Sequence, residues 1–82
     1  MNPSNIIIYT KTGCPWCKEV LAYLNENNLA YEEREVTSNK NYFDEMVAKS
    51  GQTKAPTLDI DGVILADYDR AQLEVYMKKL SA

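Results

Sequence analysis

Two cysteines, Cys14 and Cys17, have the most evident chemical potential in this chain. They lie in the stretch TKTGCPWCKEVLAYL, residues 10–24, with a proline and a tryptophan between them. Such a pair could be a structural disulfide, half of a metal site, or a redox pair. The sequence contains no histidine, which excludes a Cys–His nucleophilic pair, a Ser–His–Asp triad and any imidazole metal ligand. Activation of a cysteine must therefore come from the backbone, from charges or from solvent.

The position of Cys14 predicts a reactive sulfur. It follows a predicted strand and precedes a predicted helix, so unpaired N–H groups and the positive end of the helix dipole point at it. Both effects favour the thiolate over the thiol, and Lys11 and Lys18 could strengthen them. Cys17 lies one turn further on, on the core-facing side of the helix. We therefore expect Cys14 to attack a disulfide and Cys17 to resolve the resulting mixed disulfide.

Two other interpretations of the pair remain open. A single C-x-x-C could be half of a zinc site completed by a second chain, or its cysteines could be two small buried hydrophobic residues. The strand–turn–helix context favours the redox interpretation. In that interpretation Pro15 stiffens the turn, and the Trp16 indole offers a flat apolar surface beside the reacting sulfur.

The first half of the chain predicts a strand, a helix and a second strand. The run from Ile6 to Tyr9 is β-branched and apolar, which is typical of a strand buried on both faces. Apolar residues then recur at helical spacing, at Cys17, Val20, Leu21 and Leu24. The segment YEEREV, residues 31–36, is highly charged and predicts an edge strand. We expect its acidic cluster to be solvated, with orientation of a basic partner as the alternative; the cluster consists of Glu32, Glu33 and Glu35.

A second helix and a hairpin follow. The residues TSN, 37–39, offer N-caps, and Gly51 can end the helix. Its apolar face consists of Phe43, Met46 and Val47. Asp61 and Gly62 stand between two apolar runs, and this dipeptide is the strongest short-range signal for a β-hairpin.

The last helix is expected to begin near Asp67 or Asp69. Asp69 and Gln72 resemble a capping box. The apolar face is predicted at Leu73, Tyr76, Met77 and Leu80, again at helical spacing.

The predicted element order is β-α-β-α-β-β-α. A parallel strand pair followed by an antiparallel hairpin gives an α/β fold, in which a mixed four-stranded sheet carries three helices distributed over both faces. This is the thioredoxin-like arrangement. The chain has 82 residues, enough for one core, so we expect a single domain over residues 1–82.

Composition narrows the classes of partner. The net charge is −3, which disfavours nucleic-acid binding because that requires clustered Lys and Arg. No apolar run is long enough to span a membrane. The start, MNPSNIIIYTK, lacks the basic region of a secretory signal. We therefore expect the protein in the cytoplasm, a reducing compartment where a permanent disulfide is disfavoured. We also expect a monomer.

Two segments resemble the glutaredoxin family. YTKTGCPWC, residues 9–17, is similar to that family's active-site segment, which usually contains C-P-Y-C. GQTKAPTLDIDG, residues 51–62, is similar to the Gly-Gln-Arg-Thr-Val-Pro segment that leads into the family's hairpin. The resemblance implies dithiol and monothiol disulfide exchange, with glutathione as co-substrate, disulfide-containing or glutathionylated proteins as substrates and no tightly bound cofactor or metal. It also implies a cis peptide bond before Pro56, on a loop that faces the cysteines.

The resemblance also implies the residues that bind substrate. Lys11 should meet a glutathione carboxylate, and the start of the last helix should receive the γ-glutamyl carboxylate through backbone N–H groups. The remaining positions implied to flank the thiol or the substrate are Pro15, Trp16, Thr53, Lys54, Ala55, Pro56, Asp67, Tyr68 and Asp69. The chain differs from the family pattern at Thr53-Lys54-Ala55, where the family has Arg-Thr-Val, and at Ala66-Asp67, where it has Gly-Gly.

Three functions remain in competition. The first is a glutathione-dependent oxidoreductase that acts on protein disulfides and glutathione mixed disulfides. The second is a protein-disulfide reductant with the same chemistry, recharged by thioredoxin reductase. The third is a dimeric [2Fe–2S]-binding module, since one chain supplies too few thiolates for a cluster.

Two further residues are singled out. Asp59 could be a buried carboxylate that assists proton transfer from Cys17, but a solvated strand face is the favoured interpretation because an unpaired Asp is rarely buried. The tyrosines are predicted to be mostly core or amphipathic surface, and Tyr9 could line the active-site groove.

Overall fold

The computed structural model describes residues 5–81. The predicted element order is confirmed. The strands are β1 (Ile6–Thr10), β2 (Glu32–Glu35), β3 (Thr57–Ile60) and β4 (Val63–Leu65), and the helices are α1 (Pro15–Glu26), α2 (Lys40–Ser50) and α3 (Arg70–Ser81). The single domain expected over residues 1–82 extends beyond the described residues at both ends and stays a prediction.

The four strands form one mixed sheet in the order β2-β1-β3-β4. β1 is parallel to β2 and antiparallel to β3, and β3 forms an antiparallel hairpin with β4. The predicted thioredoxin-like fold and the edge position of the charged strand are thus confirmed. Because β1 is central, its carboxyl end presents the following loop, residues 11–14, at the middle of one sheet edge.

Alternation along β1 divides the core into two layers. Ile6 and Ile8 face α1 and α3, where they join a buried cluster completed by Val20, Leu24, Leu29, Leu58, Ile60, Leu65, Leu73 and Met77. Tyr9 faces α2 and packs with Val36 and Met46. Both faces of β1 are therefore buried, as its β-branched composition predicts.

Local signals fix where α2 begins and ends and where α3 begins. The Asn39 side chain accepts hydrogen bonds from the first N–H groups of α2, and Gly51 ends that helix with a left-handed φ of 71°. Asp69 accepts a bond from the Gln72 N–H at 2.8 Å, while the Gln72 side chain accepts one from the Asp69 N–H at 3.0 Å. This reciprocal pair confirms the predicted capping box.

The hairpin also forms where the sequence predicts it. Asp61 and Gly62 have φ values of 50° and 90°. Two successive positive φ angles match the twist of the flanking strands and are favoured by Asp-Gly.

The predicted apolar face of α3 is wrong at its last position. Leu73 and Met77 are buried and Tyr76 packs partly against the core, but Leu80 is 38% exposed. Leu80 lies in the final turn of α3, so this side chain stays in contact with solvent. Within residues 5–81, no helix is long and apolar enough to cross a membrane.

Leu24 in α1 and Leu80 in α3 differ in burial, so their truncation should differ in its effect on stability. Leu24→Ala should reduce the free energy of unfolding by about 2–5 kcal/mol, because Leu24 is fully buried and its removal leaves a cavity. The matched variant Leu80→Ala should cost less than about 1 kcal/mol. Urea denaturation measures both, and equal losses would contradict the observed packing.

Candidate active site

Cys14 is the N-cap of α1. Its backbone is extended, with φ −88° and ψ 111°, and its Sγ accepts a hydrogen bond from the Cys17 N–H at 3.2 Å. Pro15 follows as the first helical residue and has no N–H to contribute. The Cys14 sulfur therefore lies half-buried at the start of α1, where it already accepts one backbone N–H bond.

Cys17 has a different environment from Cys14. It is 2% exposed and lies on the side of α1 that faces the core. Burial and, second to it, the hydrogen-bonding interaction with Cys14 raise the pKa of Cys17 to about 12. At neutral pH Cys17 is therefore a thiol. The two cysteines are one helical turn apart, and of the two only Cys14 is accessible to solvent.

The loop between β1 and α1 requires a glycine. Gly13 has φ 75°, a left-handed conformation that strains other residues. The Cys14 N–H donates to the Lys11 carbonyl at 3.3 Å, which closes a turn around Gly13. This turn sets the direction in which Cys14 enters α1.

Glu35 connects this loop to the one before α2. Its carboxylate accepts hydrogen bonds from the N–H groups of Thr12, Thr37 and Ser38 at 3.1, 2.8 and 2.9 Å, and from the Ser38 hydroxyl at 2.6 Å. The bonds from Ser38, and after them those from Thr37, lower the pKa of Glu35 to about 2. Glu35 is thus a positioning residue for the active-site loop.

The other members of the acidic cluster are exposed, as expected, but each also has a partner within the protein. Glu33 accepts a bond from the buried Thr10 hydroxyl at 2.8 Å, and Glu32 pairs with Arg34 at 2.6 Å. These two carboxylates reach different partners because neighbouring residues of a strand point to opposite faces. Strand alternation was the only signal in the sequence for these contacts. It does not show which residue lies opposite each carboxylate.

A second loop faces Cys14. The Ala55–Pro56 peptide bond is cis, which confirms what the family resemblance implied. Gln52 organises this loop: its side-chain amide donates to the Thr57 hydroxyl at 2.9 Å and to the Lys54 carbonyl at 3.2 Å, and its oxygen accepts from the Lys54 N–H. Reasoning from the sequence assigned no role to Gln52, although it lies in the segment that resembles glutaredoxins.

These two loops and the start of α3 enclose a groove, here called the central groove, with a volume of about 750 Å³. It is lined by Lys11, Thr12, Gly13, Cys14, Pro15, Trp16, Lys54, Ala55, Pro56, Asp67, Asp69 and Gln72. Most of the predicted binding residues are therefore brought together around Cys14. Trp16 flanks the groove with 63% of its surface exposed.

Two predicted binding residues do not line the central groove. Thr53 is exposed on the loop, while the Tyr68 ring packs partly buried against the core beneath α1 and α3. A backbone hydrogen bond fixes the position of Tyr68, because its N–H donates to the Pro56 carbonyl at 3.0 Å. Asp67 precedes it with φ 55°, so a carboxylate enters the groove from a backbone conformation that suits glycine.

The expected placement of Tyr9 in the groove is wrong. Its ring is fully buried under α2, where its hydroxyl donates to Glu45 and Lys49 lies 5.3 Å from the ring centroid. Alternation from Ile8, which faces α1 and α3, directs Tyr9 to the other side of the sheet.

Both interpretations of Asp59 need correction. Its side chain is 15% exposed and pairs with Lys49 at 2.9 Å, and it also accepts a bond from the Gly62 N–H at 2.9 Å. Burial acts to raise the pKa of Asp59, but these two bonds outweigh burial and lower it. Asp59 faces α2, whereas Cys17 belongs to α1 on the opposite face of the sheet. Asp59 is therefore neither a solvated residue nor a proton acceptor for Cys17.

Comparison with known proteins gives consistent matches. The glutaredoxin family model matches residues 6–65. A glutaredoxin-like 8.6 kDa protein of the Clostridium pasteurianum rubredoxin operon is 31% identical over 90% of this chain and 99% of its own. Glutaredoxin 3 of Escherichia coli is 34% identical over 71% of this chain and 70% of its own. The crystal structure of the thioredoxin-like protein BC3987 superposes with a TM-score of 0.79 at 31% identity, covering 87% of this chain and 97% of that one.

The bonds of Glu35 predict a pH-dependent contribution to stability. Because folding lowers its pKa to about 2, the stabilisation is present above the ordinary carboxyl range and is lost as the pH falls toward about 2. Glu35→Gln should therefore be less stable than the parent at neutral pH, and the difference should shrink at about pH 3. Urea denaturation at the two pH values measures this.

Hydrogen exchange supplies the control for that experiment. At neutral pH, Glu35→Gln should speed exchange of the Thr12 amide. Glu32→Gln, which removes a neighbouring carboxylate that does not contact this loop, should leave exchange at Thr12 unchanged. Equal effects of the two variants would show that Glu35 does not hold the loop.

Proposed function

The chain belongs to the glutaredoxin family of thiol–disulfide oxidoreductases, and on that premise we propose that it reduces protein disulfides and glutathione mixed disulfides with glutathione as the electron donor. The observation that carries the proposal is the inequality of the two sulfurs, since Cys14 caps α1 at the groove and Cys17 is buried behind it. An accessible sulfur and a shielded one, a helical turn apart, suit the two successive steps of disulfide exchange.

In the first step the Cys14 thiolate attacks one sulfur of the substrate disulfide. A bond forms between that sulfur and Cys14, the substrate's S–S bond breaks, and its second sulfur leaves as a thiolate. The Cys17 N–H, 3.2 Å from Cys14 Sγ, stabilises the attacking charge. The exposed Trp16 ring and the Pro56 loop form the walls of the approach.

In the second step Cys17 loses its proton and attacks Cys14. The mixed disulfide breaks, the substrate leaves as a thiolate that takes up a proton, and a Cys14–Cys17 disulfide forms. Attack within one molecule is favoured over attack by a second thiol because the reacting group is already positioned. Two glutathione molecules then return both cysteines to thiols and leave as glutathione disulfide, so two electrons pass from glutathione to the substrate.

The charges of the central groove support glutathione as the donor. Homologues of the family use glutathione as a substrate. Lys11 and Lys54 line the groove and can meet its two carboxylates, while Asp67 can meet its ammonium group. The start of α3 beside Asp69 adds the positive end of a helix. Tyr68 and Thr53 are expected to support this site through the backbone of their loops.

The setting of the protein is part of the proposal. A dithiol that must be returned to the thiol state suits a reducing compartment, so we assign it to the cytoplasm, with a role in redox homeostasis and electron transfer to disulfides. Because the groove and both cysteines come from one chain, a monomer suffices for the reaction.

The donor is tested by reducing a glutathione mixed disulfide with glutathione and glutathione reductase as the only source of electrons. Sustained turnover is expected. Absence of turnover, together with activity restored by thioredoxin reductase, would contradict the glutathione assignment and support the alternative reductant.

The two cysteines should differ in their variants. Cys14→Ser should lower kcat/KM for every disulfide by about a thousandfold or more, because the nucleophile is lost. Cys17→Ser should lose activity on an intramolecular protein disulfide, yet retain turnover of a glutathione mixed disulfide, since a second glutathione can resolve the intermediate. Retained activity in Cys14→Ser, or loss of both activities in Cys17→Ser, would contradict the assigned roles.

A further inference from the structure

The buried hydroxyl of Thr57 connects three separate segments behind the central groove. Thr57 is the first residue of β3, directly after Pro56, and its side chain is fully buried. The hydroxyl donates a hydrogen bond to the Lys54 carbonyl at 2.8 Å. It accepts one from the Gln52 side-chain amide at 2.9 Å and a longer one from the Asp67 N–H at 3.4 Å. A hydroxyl has one donor and two acceptor positions, so all of them are used here.

Two of these partners belong to different walls of the groove. Lys54 lies in the loop before β3, and Asp67 lies in the turn after β4. A second bond joins the same two walls, because the Tyr68 N–H donates to the Pro56 carbonyl at 3.0 Å. Thr57 itself is not among the residues that line the groove. It can therefore act on a bound substrate only through the walls that it holds.

Each of these two walls carries a charge whose place depends on its backbone. Lys54 and Asp67 are exposed, and within residues 5–81 no hydrogen bond or ion pair involves either charged group. The Asp69 carboxylate differs, because the Gln72 N–H holds it at the start of α3. The separation of Lys54 and Asp67 is thus set by the backbone of their segments, and the Thr57 hydroxyl bonds to both segments.

We propose that Thr57 is a positioning residue, whose hydroxyl fixes the separation of Lys54 and Asp67 and thereby the preference of the groove for disulfides that carry charges of both signs. Glutathione disulfide belongs to this class, since each half has carboxylates and an ammonium group. The inference rests on the proposed reaction at Cys14. Loss of the hydroxyl leaves the Asp67 N–H without an acceptor among the described residues. The turn after β4 should then loosen, while the bond from the Cys17 N–H to Cys14, which lies within one turn of α1, is unaffected.

The preference is measured with the reduced protein and two small symmetrical disulfides. Glutathione disulfide is charged and hydroxyethyl disulfide is neutral. Each oxidises Cys14 and Cys17 to a disulfide, while its own two sulfurs leave as thiols. In Thr57→Val the second-order rate constant should fall about threefold to tenfold for glutathione disulfide, because exposed charge pairs contribute modestly. For hydroxyethyl disulfide it should stay within about twofold, because that molecule has no charge for the walls to attract. Loss of free protein thiols measures both rate constants.

Two further variants separate the hydroxyl from the packing of the side chain. Thr57→Ser keeps the hydroxyl and should keep the parent's ratio of the two rate constants. Thr10→Val is the matched control, since Thr10 is the other buried threonine within residues 5–81. Its hydroxyl donates to Glu33 at 2.8 Å and bonds to neither wall. This control should also keep the parent's ratio, whatever the loss of a buried hydroxyl does to stability.

A protein without the two wall charges tests how Thr57 acts. In the background Lys54→Gln with Asp67→Asn, no charge remains whose separation Thr57 could set. Adding Thr57→Val there should leave the ratio of the two rate constants unchanged to within about twofold, because coupled residues are not additive. A fall in the ratio as large as in the parent protein would mean that the hydroxyl does not act through these charges, and it overturns the proposal.

Hydrogen exchange in the parent protein tests the bond to Asp67 without any substitution. The Asp67 amide should exchange at least about tenfold more slowly than in an unstructured peptide, and exchange at the unstructured rate overturns the proposal. An equal fall of both rate constants in Thr57→Val overturns it too. If glutathione still sustains turnover of a mixed disulfide in either case, the proposed function stands. No reaction of the parent protein with any disulfide overturns both.

Discussion

The different environments of the two cysteines depend on one hydrogen bond at a helix start. Cys14 takes the place of an N-cap residue, so its sulfur receives the N–H group that a hydroxyl or carboxylate oxygen receives in other helices. The same helical turn carries Cys17 into the core, where burial raises its pKa. A single backbone arrangement therefore leaves one sulfur accessible and buries the other.

Two polar side chains hold the loops around Cys14 in place against the sheet. Glu35 holds the loop before Cys14 from the side of β2, and Gln52 holds the Pro56 loop from the side of β3. Neither touches the reacting sulfur. Each satisfies backbone groups that sheet pairing leaves open, which is why loops without regular structure can form two walls of a groove.

Charge determines what those walls can accept. Lys11, Lys54 and Asp67 lie in the same groove, so the site offers both signs to a small thiol. Groups of both signs therefore lie around Cys14, the one accessible sulfur of the pair.

The sequence by itself determined the elements and the position of the cysteine pair at the start of α1. Helical spacing, the caps at Asn39 and Asp69 and the Asp61 turn act within a few residues, so these signals survive without tertiary structure. The partners of Glu35 and Asp59 were decided only by the closed sheet, because they come from other strands, helices and loops. Alternation tells which face a side chain takes, but what lies on that face depends on how distant segments pack.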